Sequence, residues 1–475
     1  MEQWFTTSIE KLAAFVWGPV LLVLLLGAGL YFTGRGRLMQ ITKWRLIWKK
    51  TFGELFSKSG PKSDSKAAGF TPFQAVSTAL ASTVGTGNIV GVASALMLGG
   101  PGAIFWMWVS AFLGMMTKFA EVVLAQIYRK PDGRGGYTGG PMYVIRQGLN
   151  NRFLAGLFAV LGLAASLGVG NMIQAGAIAQ TITELTSVPA WVVGVATMVL
   201  VGLVILGGAK AVARVTEKLV PFMAGLYILG TLVIIILNIE NVPQSLALIG
   251  KEAFRLTPAV AGTGGWLLSQ ALRVGLARGA FTNEAGMGSS AIAHAAANAK
   301  DPVEQGFWGS MEVFLDTLVI CTLTALAILS SGVFERWQML VSAKVLPVFA
   351  NLSLSAPAAG DSPPLTLQAF TGTFGPWGGV LLGVCTTLFA VATIIGWSYY
   401  GEVCCRYLFS GREKQAVRCY RIFYIAAVYF GATISLELLW NVSDLLNGLM
   451  ALPNLIALFL LSGVVFRAMN RYFER

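Results

Sequence analysis

Charge is scarce in this chain. Of 475 residues only 12% are charged, one is histidine and five are cysteine, and each scarcity excludes a class of protein. So little charge beside 55% hydrophobic residues, at a mean hydropathy of +0.69, does not describe a soluble domain. It describes an all-α polytopic membrane protein, whose partner is the lipid bilayer. The five cysteines (Cys321, Cys385, Cys404, Cys405, Cys419) and the single His294 form no CxxC, no HExxH and no other metal-ligand spacing. Cys404 and Cys405 are adjacent and too strained for a routine disulfide, so free thiols and no metal chemistry are expected. No nucleophile and base pair and no phosphate loop is present, which argues against an enzyme and for no cofactor. Acid is scarcer than base, giving a net charge of +12. In a membrane protein a basic excess normally reports the positive-inside rule and not a nucleic-acid partner.

The placement of the basic residues supports that rule. The first apolar span, Leu12 to Phe32, follows Glu2 and Glu10 and precedes Arg35, Arg37, Lys43, Arg45, Lys49 and Lys50, which puts the N-terminus outside. It lacks the basic start and small-residue cleavage site of a signal peptide. Between Leu38 and Phe56, Leu, Ile and Trp interleave with Lys and Arg, a pattern for a surface-lying helix or a solvated connector. Further spans fall at about 70–98, 102–128, 153–185, 190–207, 219–238, 263–297, 307–331, 375–409, 419–438 and 442–466, eleven with the first. Alternating them from an outside N-terminus places 26 of the 34 Lys and Arg on the cytoplasmic side, 5 outside and three (Lys118, Arg273, Arg278) within spans. The C-terminus is then cytoplasmic. Residues 332–374, with Pro363-Pro364, predict a short amphipathic exterior helix and an irregular loop.

Two of the spans are broken. Gly85-Thr86-Gly87-Asn88 interrupts the first, and Gly279, Gly286 and Gly288 interrupt the second. A backbone break at membrane depth survives only where it is buried in protein or lines a cavity. It also leaves two half-helix ends, one suited to an anion and one to a cation. Gly286-Met287-Gly288-Ser289 echoes the first break, and each is followed by a Phe-Trp pair (Phe105-Trp106, Phe307-Trp308) after 20 and 21 residues. The breaks lie five helices apart, so the second unit enters the membrane in the opposite sense, as in the inverted repeats of secondary transporters. The divisions are residues 1–69 (a peripheral membrane helix and basic connector), 70–238 (first five-helix repeat), 239–262 (exterior connector) and 263–475 (second repeat).

GGPGAIFWMW at 99–108, continued by GMMTK at 114–118, resembles the signature of the alanine or glycine:cation symporter family. GTGNIVG at 85–91, FTNEAGMGS at 281–289 and TIIGWSYYGE at 393–402 resemble its other segments. The resemblance implies a leucine-transporter-like fold of five plus five helices, with one extra N-terminal helix, in the bacterial inner membrane. It implies uptake of a small neutral amino acid such as alanine or glycine, with D-alanine or glutamine as possible substrates. Sodium is the coupling ion in most members and protons in a few.

The glycines let the amides around Gly85, Thr86 and Gly87 approach a carboxylate closely. By position in the fold, the Thr83 carbonyl and Asn88 border the same space, Asn88 as contact or brace. Asn171 and Gln174, one turn apart in an apolar helix, are interhelical glue or ligand contacts, and the resemblance favours Gln174 as the contact. It makes Met287 and Trp397 walls of the pocket. It also joins the carbonyls of Ala81, Val84 and Phe389 to the Thr393 hydroxyl as sodium ligands. A proton-coupled rival would want a titratable group there, often a lysine on the fifth core span, and Leu219 to Leu237 holds none. A channel is the other competing class, but a chain carrying its own pseudo-twofold reads as a monomeric carrier. Lys118, Glu121, Arg273, Arg278, Glu284, Asp316 and Glu402 lie within spans, each costing about 2.5 to 3.5 kcal/mol if unpaired. Lys118 and Glu121, one turn apart, read as a structural pair, Glu284 as a gate or ion-network residue, and His294 as a bland polar site with proton relay as the alternative.

Overall fold

The protein's structure, a computed structural model, describes residues 8–9, 11–13, 15–54, 69–133, 135–254, 270–342, 365–434 and 436–474, without the side chains of 341, 342 and 436–438. It is helical apart from one two-stranded ribbon, Lys130–Pro131 against Tyr137–Thr138. Helix α1 (Pro19–Arg35) begins with proline at its first turn and packs along α4 (Gly102–Ile127). After α1, as far as Glu54, the chain runs as short pieces, Met39–Thr42, Trp44–Trp48 and a π turn at Lys49–Gly53. They bury Ile47 and Thr51 and seat Trp44 on Phe314 (4.8 Å) and Phe52 on Trp308 (5.3 Å). The interleaved pattern at 38–54 is thus helical, with Trp44, Ile47 and Phe52 laid on the bundle and Leu38, Ile41 and Trp48 exposed. Lys50 is held by Glu304 at 2.7 Å, a hydrogen bond that keeps its ammonium above the usual range.

The first break is built by sequence-local chemistry. Helix α2 (Pro72–Thr83) opens with a reciprocal cap, Thr71 with Gln74, both bonds 3.1 Å, and Pro72 in the first turn. It stops at Val84 and Gly85, both extended, and a single 3-10 turn, Thr86–Asn88, leads into α3 (Val90–Gly99). The remaining long elements are α5 (Arg152–Leu167), continued through a π turn at 168–172 into α6 (Ile173–Thr186), then α7 (Ala190–Leu206), α8 (Ala209–Leu237) and α9 (Val242–Ala253).

The second break separates α10 (Gln270–Asn283) from the short α11 (Ala291–Ala295). Three residues between them have positive φ: Glu284 (54°), Gly286 (93°) and Gly288 (78°). Two of these are glycine because the left-handed region is open to them without strain; Glu284 is not so relieved. Then come α12 (Pro302–Val313), a π stretch at 314–321, α13 (Thr322–Ser330), α14 (Pro376–Leu408), α15 (Glu413–Thr433), α16 (Leu436–Leu460) and the amphipathic α17 (Ser462–Phe473).

Among the described residues, six helices, counting α5 with α6 and α12 with α13 as continuous, are long and apolar enough to cross a membrane; α1, α3 and α7 are shorter apolar helices. The helix expected at the start of 332–374 is present as Val333–Ser342, and Leu365–Phe374 is helical where a loop was expected. Pro363-Pro364, the connector at 55–68 and the start of the second broken span at 263–269 lie outside the described residues. The two broken spans pack on each other as well as on the bundle. Helix α2 lies against α8, α14 and α11, and α10 lies along α4 and α3.

Candidate substrate and cation site

Thr393, fully buried on α14, meets the end of α2. Its hydroxyl lies 3.1 Å from the Ala81 carbonyl oxygen and 3.0 Å from that of Phe389. A Cβ on Gly85 would come within 2.7 Å of the same hydroxyl, so only glycine lets the unwound backbone pass this close. Three of the four expected cation ligands therefore converge. Val84, the fourth, is the extended residue that ends α2. Hard oxygen donors without a formal charge suit sodium, which can be held with no buried carboxylate to neutralise it.

The other side of the break faces α6. Gln174 Oε1 accepts from the Thr86 hydroxyl (3.1 Å) and amide (3.5 Å), while Asn171 ties α15 by donating to the Tyr424 carbonyl at 2.6 Å. Of the two polar residues one turn apart, Gln174 thus reaches the break and Asn171 is interhelical glue. Asn88 is a brace. Its Oδ1 accepts from the Gly85 amide (2.9 Å) and its Nδ2 donates to Asp316 Oδ1 (2.6 Å). The Gly85 amide, expected to face a carboxylate, is therefore engaged within the chain. A short amide side chain three residues on reaches back to it, as an N-cap does.

Phe281 and Thr282 of α10 come nearest to Gly87; a Cβ there would meet Thr282 Cγ2 at 3.2 Å and the Phe281 ring at 3.9 Å. Met287 is buried, but its flanking glycines face the scaffold: Leu25 and Leu455 beside Gly286, Pro141 and Asn454 beside Gly288. Trp397, one turn beyond Thr393, is buried against Gly170 in the π turn and edge-on to Tyr400 at 5.3 Å. Its indole Nε1 has no hydrogen-bond partner.

Behind this cluster lies a network of buried ionisable groups. Glu312 on α12 is its hub and went unnoticed in the sequence. Its Oε1 sits 2.8 Å from the Thr83 hydroxyl and 3.5 Å from Lys118 Nζ, and its Oε2 is 3.0 Å from His294 Nε2. Gln305 Nε2 lies 2.8 Å from His294 Nδ1, so the imidazole is held between Gln305 and Glu312. Lys118 also reaches Ser290 Oγ at 2.7 Å. The expected Lys118–Glu121 pair does not form. One turn apart on α4, each finds a better partner on the elements packed there. Glu121 Oε1 accepts from the Gly286 amide (2.9 Å), the Gly288 amide (3.1 Å) and Asn454 Nδ2 (2.6 Å). It clamps the second break much as Asn88 braces the first.

Four of the remaining charged residues in the expected spans face partners, whereas Arg273, half-buried on α10, has an Nε with none. Glu284 accepts from Ser289, and Asp316 from Asn88 and Thr317. Arg278 faces Asp444 across a small cavity and lies over the Trp440 ring at 5.9 Å; Asp444 was the second carboxylate missed. Glu402 is a structural clamp, bonded to Arg406 and, at 2.8 and 2.9 Å, to Arg421.

Helices interrupted inside an apolar bundle, with the Ala81 carbonyl turned to Thr393 beside one break and a network through Glu312 and Lys118 joining it to the other, are the architecture of a membrane transporter. A solved structure of MhsT in complex with L-phenylalanine shares the fold, at a TM-score of 0.54 and 12% identity over 83% of this chain and 98% of that one. The chain belongs to the sodium:alanine symporter family, whose model matches residues 1–475. It is 42% identical to the sodium/alanine symporter AgcS of Methanococcus maripaludis, covering 97% of this chain and 96% of AgcS. It is 38% identical to the probable sodium/glutamine symporter GlnT of Bacillus subtilis, covering 96% and 88%.

Proposed function

We propose that this chain carries a small neutral amino acid, alanine or glycine, across the bacterial inner membrane together with sodium, by alternating access. The observation that carries the proposal is the meeting of Thr393 Oγ1 with the carbonyls of Ala81 and Phe389 beside an unwound helix. There sodium would take the Thr393 hydroxyl and the carbonyls of Ala81, Val84 and Phe389. The substrate carboxylate would lie against the amides of Thr86 and Gly87, with Gln174 beside it and Trp397 limiting the side chain. Such a site needs the ion and the carboxylate together, because each offsets the other's charge in a medium of low dielectric constant. Proton coupling is the weaker reading, since Lys118 is directed to Glu312 and Ser290 and not to Thr393. The fold proposed for this activity is the leucine-transporter-like five-plus-five repeat over 70–238 and 263–475, eleven membrane helices with the first, working as a monomer with its N-terminus outside. The relatives' names span alanine and glutamine, so D-alanine and glutamine stand as further substrates to test. Counterflow into proteoliposomes with a panel of labelled amino acids tests the substrate assignment. Exchange of alanine or glycine supports it, and exchange restricted to charged or aromatic amino acids overturns it.

A further inference from the structure

A cavity of about 700 Å³ opens where α1 ends, far in sequence from the breaks, between the turn at 35–43 and α17. Three cations line it, Arg35, Arg37 and Lys43, with the side chains of Met39, Phe466 and Phe473 as its apolar wall. Arg35 stands 5.0 Å from the Phe466 ring and Lys43 5.3 Å from that of Phe473, so aromatic faces hold two of the cations at the rim. Glu474 is the one acid in the lining, and among the described residues none of the three cations forms an ion pair with a carboxylate.

The turn itself is strained. Arg37 and Leu38 both have positive φ, 54° and 52°, a region that residues other than glycine rarely adopt. Its amides are all engaged within the chain, Gly36 to Phe32, Arg37 to Gly34 and Leu38 to Thr33. The anion-binding capacity of the cavity therefore rests on side chains. The same turn leaves Leu38 and Ile41 exposed, 45% and 59%, beside the cations. Exposed leucine and isoleucine next to unpaired arginine and lysine, at the end of an apolar helix, are matched to a molecule with an acidic head and hydrocarbon tails. Helix α17 continues the pattern. It buries Val465, Phe466 and Met469 while Arg467 and Arg471 are exposed.

We propose that this cavity binds the headgroup of an anionic phospholipid, its phosphate diester between Arg35, Arg37 and Lys43 and its acyl chains against Leu38, Ile41 and Phe473. The proposal is independent of the transported substrate. The test uses purified full-length protein in neutral detergent. Retained lipid is counted by native mass spectrometry, and the thermal midpoint is followed as dioleoylphosphatidylglycerol, dioleoylphosphatidylcholine or soluble glycerol 3-phosphate is added. Phosphatidylglycerol should raise the midpoint and leave one tightly held lipid. The triple variant Arg35→Gln, Arg37→Gln, Lys43→Gln should weaken that binding about tenfold or more. The charge-matched variant Arg412→Gln, Lys414→Gln, Arg418→Gln, all exposed near the start of α15, should leave it unchanged. Arg37→Gln alone, a milder change, should give a partial loss. Equal stabilisation by phosphatidylcholine would reduce the cavity to an apolar groove, and equal stabilisation by glycerol 3-phosphate would make it a soluble-anion site. An equal loss in both triple variants would mean that total charge, and not this cavity, holds the lipid. Each of these three results overturns the proposal.

Discussion

Replacing Thr393 by valine tests the proposed cation site at a single atom. The swap keeps the β-branched shape, so no cavity forms against the end of α2, and only the hydroxyl 3.1 Å from Ala81 O and 3.0 Å from Phe389 O is lost. A hydrogen bond or ligand contact to a charged group contributes about 1.5 to 3 kcal/mol. Since each 1.4 kcal/mol is a factor of about ten, the sodium concentration for half-maximal uptake should rise roughly ten- to a hundredfold. The cost to folding is of similar size: Phe389 O keeps its place in the helix, but the buried Ala81 carbonyl loses the hydroxyl that donates to it, at about 1 to 3 kcal/mol. Thr393→Ser, which retains the oxygen, should stay near the parent protein. The assay is uptake of labelled alanine or glycine into proteoliposomes at graded external sodium, with insertion checked by gel filtration. An unchanged sodium dependence in well-folded Thr393→Val would remove this residue from the ion site.

Three further outcomes follow from the same geometry. Gly87→Val should abolish substrate binding while the protein still inserts, because its Cβ would already crowd Thr282 Cγ2 at 3.2 Å and its methyls would fill the approach to the amides; retained affinity in a detergent binding assay would move the site elsewhere. Trp397→Leu should shift preference from alanine toward valine or leucine about tenfold or more, at about 0.8 kcal/mol per buried methylene, read from inhibition by the series glycine to leucine. If the inhibition constants keep their order and spacing, the indole serves only the packing seen against Gly170 and Tyr400. Glu312→Gln should destabilise the fold by about 3 to 5 kcal/mol, since it strands the buried Lys118 ammonium; adding Lys118→Met should restore part of the lost thermal midpoint, and a double variant no more stable than Glu312→Gln would deny the pair.

The breaks were legible because their cause is local. Two glycines within three residues of an apolar run cannot continue a good helix, and the structure unwinds at Val84 to Asn88 and again at 284–290. The partners of those breaks were legible only in part. Gln174 stood out with Asn171 as a polar pair in an apolar helix, yet its meeting with Thr86 spans 88 residues and no spacing rule carries it. Glu312 was missed for a similar reason. It lies four residues before Asp316, a pairing of carboxylates in one apolar stretch that could have drawn notice, but its partners Thr83, Lys118 and His294 come from three other elements. Lys118 and Glu121 show the opposite failure. Their i, i+3 spacing suggested a pair, and tertiary packing supplied each with stronger partners. The engagement of the Gly85 amide by Asn88 was local and readable, and it narrows the proposed carboxylate site to Thr86 and Gly87.

The central claim is that an inward sodium gradient drives amino-acid uptake through this chain. Purified protein in liposomes should accumulate labelled alanine or glycine above equilibrium when sodium is outside and potassium inside, with the proton gradient collapsed by an ionophore. Accumulation should disappear when external sodium is replaced by choline. Accumulation that persists in choline and follows an imposed proton gradient instead would contradict the account.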